Sequence, residues 1–104
     1  MIVTTTETLP GREITEVLGV VFGSCVQTKH IGKDLRAAGR TIIGGESKAY
    51  TELMEESRRT AMQRMIEDAN KLDATAIIGM RYATAQTMHG AAEIIAFGTA
   101  VKTQ

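Results

Sequence analysis

A chain of 104 residues, 43% hydrophobic and 23% charged, has the size and composition of one globular domain, which excludes a largely disordered polymer. Its 12 basic and 12 acidic side chains cancel, so the overall basic excess expected of proteins that live on nucleic acid or anionic membrane is absent. One cysteine excludes an internal disulfide, no apolar run nears the roughly 18 residues of a membrane span, and the start Met1-Ile2-Val3-Thr4-Thr5 lacks the marks of a signal peptide, so the expected location is the cytoplasm.

Residues Ile2 to Thr6 are all β-branched and predict a short strand. Leu9-Pro10-Gly11 follows. Proline presets φ for the first corner of a turn and glycine accepts positive φ at the second, which predicts a hairpin into the next segment. That segment, Glu13 to Thr28, is the longest β candidate. Ile14, Val17, Leu18, Val20, Val21, Phe22 and Val26 place apolar side chains on both of its faces, as in a strand covered on both sides. Gly19 and Gly23 inside it predict a bulge, a bend or a close backbone approach.

From Ile31 to Ile43 the period changes, with Ile31, Leu35, Ala38 and Ile42 at helical spacing and Gly44-Gly45 as the stop. A second, longer helix is predicted over about 47–72, with Ser47 as N-cap. Tyr50, Leu53, Met54, Ala61, Met62, Met65, Ile66, Ala69 and Leu72 form its apolar stripe. Ala74 to Ala83 reads as a strand with Ala76, Ile78, Met80 and Tyr82 on one face and Ile77, Gly79 and Arg81 on the other. Thr84 to Gly90 reads as a polar loop. The last strand covers about Ala92 to Lys102, with Ile95, Phe97, Thr99 and Val101 on one face and Ile94, Ala96, Gly98 and Ala100 on the other. The order is β-β-α-α-β-β, an α+β fold with one long and one short helix on one face of a small sheet, all in one domain.

Two helices on one face leave the other face of the sheet bare. In a monomer that face should be polar, yet both faces of residues 17–22 and of the last strand carry apolar side chains. Burial against further copies of the chain is the simplest remedy. A sheet curled on itself is the alternative.

Candidate chemistry is sparse. Cys25 and His30 stand five apart at the end of the long strand, and thiolate with imidazole suits a transition metal ion such as Zn or Cu. His89 could add a third donor only through the fold or a neighbouring subunit. Without a metal, Cys25 is a small buried hydrophobe and both histidines are surface residues. Lys33, Arg36 and Arg40 share a face of the first predicted helix and could hold an anion, with the Gly44-Gly45 turn beside them; the plainer reading is a solvated surface. Four aromatic residues in all (Phe22, Tyr50, Tyr82, Phe97) give no base-stacking platform. No catalytic constellation is readable, so the chain is not expected to be an enzyme. An enzyme or anion-binding module built on that basic face is the alternative.

Several stretches, taken together, carry a family likeness. They are Ile2-Val3-Thr4-Thr5-Thr6, Ile31-Gly32-Lys33-Asp34-Leu35, Ile43-Gly44-Gly45, and Tyr50-Thr51-Glu52-Leu53-Met54-Glu55-Glu56. Asp73 to Arg81, Ala91-Ala92-Glu93-Ile94 and Gly98-Thr99-Ala100-Val101 complete the set. Nearly end to end, the chain resembles the YbjQ-like family of small bacterial and archaeal proteins, which carries a heavy-metal-binding label. The resemblance implies a compact α+β fold and a ring-like homo-oligomer of five copies; it supplies no enzyme activity, and the expected role is binding a metal or small ligand at a subunit interface. It brings no ligand motif onto these positions, and Cys25 and His30 lie outside the shared pattern.

Overall fold

A computed structural model describes residues 1–27, 48–88 and 91–104, with all their side chains except those of residues 49, 50, 87 and 88. The first predicted helix, its Gly44-Gly45 stop and the Ser47 cap lie outside the described residues. The described elements are β1 (Ile2–Val3), β2 (Ile14–Gln27), α1 (Lys48–Asn70), β3 (Ala76–Met88) and β4 (Ala91–Thr103). They build one helix on a mixed four-stranded sheet of order β1-β3-β4-β2. β4 pairs antiparallel with both β2 and β3, and β1 pairs parallel with β3.

The Leu9-Pro10-Gly11 turn forms as its residues dictate. Arg12 N–H donates to Leu9 O at 3.0 Å, and Gly11 takes φ 82°. The predicted hairpin does not form, because Ile2 and Val3 pair with Ala76 and Ile77 on the far side of β4 from β2. The backbone explains the choice. A bulge in β3 between Ile78 and Arg81 turns the N–H groups of Gly79 and Met80 outward, where they donate to Thr6 O and Thr4 O at 2.9 and 3.0 Å. A turn signal fixes a local reversal of the chain; it does not choose a strand's partner.

The same bulge corrects the faces predicted for Ala74 to Ala83. Gly79 takes φ 61° there and shifts the alternation by one residue. Ile77 and Met80, predicted on opposite faces, both enter the core. The predicted polar loop at Thr84 to Gly90 is also corrected. β3 runs on to Met88, with Thr84 opposite Ile94, Ala85 opposite Glu93 and Gln86 opposite Ala92. Thr84 and Gln86 are polar and exposed, and a β-branched threonine suits an extended backbone.

The main core lies between helix and sheet, while Ala76 and Val101, paired across β3 and β4, are fully buried on the opposite face. Ala61, Met65 and Ala69 of α1 meet Val21 of β2, Ile77 and Met80 of β3, and Ile94, Ala96 and Ala100 of β4. Spacing of four puts the helix residues on one stripe, as predicted. Gly23 sets the depth of contact. A Cβ at that position would strike the backbone N of Met65, the backbone O of Ala61 and the Cβ of Arg64. The helix ends in a Schellman motif: Ala74 N–H donates to Ala69 O at 3.2 Å and Asp73 N–H to Asn70 O at 3.1 Å, with Asp73 at φ 56°.

Two side chains of α1 reach past the core to the open edge of β2. Asp68 Oδ2 accepts the Phe22 N–H at 3.3 Å, and Arg64 Nη1 donates to Ser24 O at 2.6 Å. The opposite face of the sheet has no helix over it among the described residues. Val17, Val20 and Phe22 are 67%, 69% and 61% exposed there, with Phe97 across the ladder from Phe22. The two-faced apolar strands read from the sequence are therefore present; on the second face Val17, Val20 and Phe22 are exposed while Ala76 and Val101 are fully buried.

Candidate functional site

Of the side chains proposed as ligands, only Cys25 falls within the described residues. His30, His89 and the basic trio Lys33, Arg36 and Arg40 lie outside them. Cys25 sits near the end of β2 opposite Ile94, on the helix side of the sheet, half-buried and packed against the core.

Its neighbours form a small polar group that the sequence did not announce. Gln27, two residues on and so on the same face, reaches under α1. Its Nε2 donates to Cys25 Sγ at 3.4 Å and also to Ser57 Oγ. Ser57 is fully buried in the helix stripe, and its hydroxyl donates to Leu53 O at 2.8 Å. Gln27 Oε1 is buried with no hydrogen-bond partner. Turning the amide over would offer Oε1 to the thiol and leave the NH₂ group short of acceptors, so one polar atom stays underused either way. Ser57 was missed because it is polar at a core position. The signal available was its spacing, four residues from both Leu53 and Ala61.

As a metal centre this group is incomplete. Structural zinc takes four ligands, and no group of three His, Cys, Asp or Glu side chains able to hold an ion exists among the described residues. The described residues thus supply one soft donor, oriented by an amide, and do not by themselves fit a zinc site. No helix among them is long and apolar enough to cross a membrane.

A family profile described as "Putative heavy-metal-binding" matches residues 1–104. The chain belongs to the YbjQ family. Members of that family that resemble it include UPF0145 proteins of Vibrio campbellii and Thermotoga petrophila, 57% and 56% identical over 102 residues. An archaeal one, from Archaeoglobus fulgidus, is 53% identical over 102 residues. Each match covers 98% of this chain, and 98%, 96% and 94% of the respective relatives. None of these names states an enzymatic activity. The fold is similar to the crystal structure of a Pediococcus pentosaceus protein of unknown function, with a TM-score of 0.61 and 18% identity over 100% of this chain and 98% of that one.

Proposed function

We propose that this YbjQ protein assembles with copies of itself through the open face of its sheet and holds a soft metal ion or small ligand where copies meet. Cys25 is the thiolate donor of that reading, with His30 and His89 as the imidazoles. The expected assembly is a cytoplasmic ring of five, and the expected role is binding without catalysis.

The observation that carries the reading is exposed apolar surface: Val17, Val20 and Phe22 of β2 are 67%, 69% and 61% exposed, a patch of the kind that soluble monomers normally cover.

A shared site also answers the donor count. One chain offers a thiolate and two imidazoles, fewer than the four ligands of structural zinc. The test is metal analysis of untagged protein purified without chelators, followed by titration with Zn and Cu(I). Uptake by the wild type that falls at least tenfold in Cys25→Ser supports the metal part of the reading. Absence of uptake by the wild type contradicts it.

A further inference from the structure

We propose that Arg64 and Asp68 form a guard across the outer edge of β2, a built-in contact that stops this strand from pairing with strands of other chains. The inference does not rest on the self-association reading above. A monomer and a closed ring alike must keep a spare edge from recruiting chains without limit.

β2 has the makings of such a hazard. It is the last strand of the described sheet, with β4 on one side only. Residues 17–27 read Val-Leu-Gly-Val-Val-Phe-Gly-Ser-Cys-Val-Gln, with no charge and no proline. Uncharged stretches rich in β-branched and aromatic residues are the ones that stack with their like. Edge strands are normally blunted by charge, proline, bulges or a covering element. The register shift between Val17 and Gly19 interrupts β2 near its start, but from Val20 to Gln27 its ladder with β4 is unbroken. Val20, Phe22 and Val26 are 69%, 61% and 49% exposed, so this stretch offers apolar surface as well as backbone.

The guard comes from the helix. In an antiparallel ladder successive residues turn their N–H and C=O groups to opposite sides. Phe22 and Ser24 turn theirs away from β4. There Asp68 Oδ2 accepts the Phe22 N–H at 3.3 Å, and Arg64 Nη1 donates to Ser24 O at 2.6 Å. An incoming strand would have to displace both. The carboxylate meets the N–H and the guanidinium meets the C=O, so the two side chains supply the acceptor and donor that a neighbouring strand would supply. Their spacing of four puts both on one side of α1. Gly23 lies between the two guarded residues and sets their reach. Without a Cβ it admits the backbone of Met65 and Ala61 against β2, close enough for a side chain as short as aspartate to span the gap.

The test is the double variant Arg64→Ala with Asp68→Ala. It removes one charge of each sign, so the chain stays neutral and a change in solubility is not an effect of net charge. At micromolar concentration with agitation, it should yield thioflavin T signal and pelletable protein about tenfold faster than the wild type. Arg64→Lys with Asp68→Asn keeps a donor and an acceptor and should stay close to the wild-type rate. Gly11→Ala strains the turn before β2 and leaves the guard in place, so it tells lost stability from a lost guard; it too should stay close to the wild-type rate. Amide exchange in the unsubstituted protein reads the contact without any variant. The Phe22 amide should exchange about tenfold more slowly than the Ser24 amide, which points the same way and meets no carboxylate among the described residues. A double variant that polymerises no faster than the wild type, a Gly11→Ala protein that polymerises as fast as the double variant, or equal exchange at the two amides overturns the proposal.

Discussion

Replacing Gly23 with alanine should force α1 off the sheet. The added methyl group would meet the backbone of Met65 and Ala61 and the Cβ of Arg64, and two of those three obstacles are main-chain atoms that no rotamer change can remove. Overpacking of this kind costs about 1–3 kcal/mol, and an immovable backbone places Gly23→Ala near the top of that range. For a chain of this size each kcal/mol shifts Tm by about 4–8 °C, so a loss of about 12–24 °C is expected. Thermal unfolding followed by circular dichroism measures it, at one protein concentration, because assembly makes Tm concentration-dependent. Gly11→Ala is the control. Gly11 has φ 82° but nothing within 4 Å of a new Cβ, so it incurs only the backbone strain of roughly 1–2 kcal/mol. A Gly23→Ala protein no less stable than Gly11→Ala would refute the close helix–sheet approach on which the core rests.

Asp73 holds a left-handed conformation at the end of α1, so Asp73→Gly should raise stability by about 1 kcal/mol in denaturant titrations. Ser57→Ala should cost about 1 kcal/mol by depriving Gln27 of its acceptor, whereas Gln27→Met, which removes the unpartnered Oε1, should be neutral or stabilising in the same titrations. Val20→Glu puts a charge on the open face at a residue 69% exposed in the protomer. It should leave circular dichroism unchanged and lower the assembly mass by size-exclusion chromatography with light scattering.

The sequence made the long helix legible because nine apolar residues repeat at helical spacing, and the helix ends within two residues of where that stripe stops. The last strand was legible in extent, and Ile94, Ala96 and Ala100 are buried together while Phe97 opposes Phe22 on the other side; Val101, on the face of Phe97, is fully buried as well. Gly23 was readable as a bulge, a bend or a close approach, and the structure shows the last of these: a glycine within an apolar strand leaves room for another backbone. The pairing of β1 with β3 was not readable. It depends on two N–H groups that a bulge turns outward, and a bulge at Gly79 leaves no trace in the apolar pattern. The extension of β3 through Gln86 was hidden because a strand exposed on both faces has no alternation to display. Cys25 was singled out from the sequence as a thiolate donor. Ser57 and Gln27 were passed over because only the fold brings them under the helix beside the thiol.

The central claim is that the exposed apolar residues Val17, Val20 and Phe22 belong to an inner surface of an assembly. Native mass spectrometry of the untagged wild type at micromolar concentration tests it most directly. The account predicts a single closed oligomer, five copies being the expected number, with no more than a trace of monomer. A spectrum dominated by the 11.2 kDa chain would contradict it.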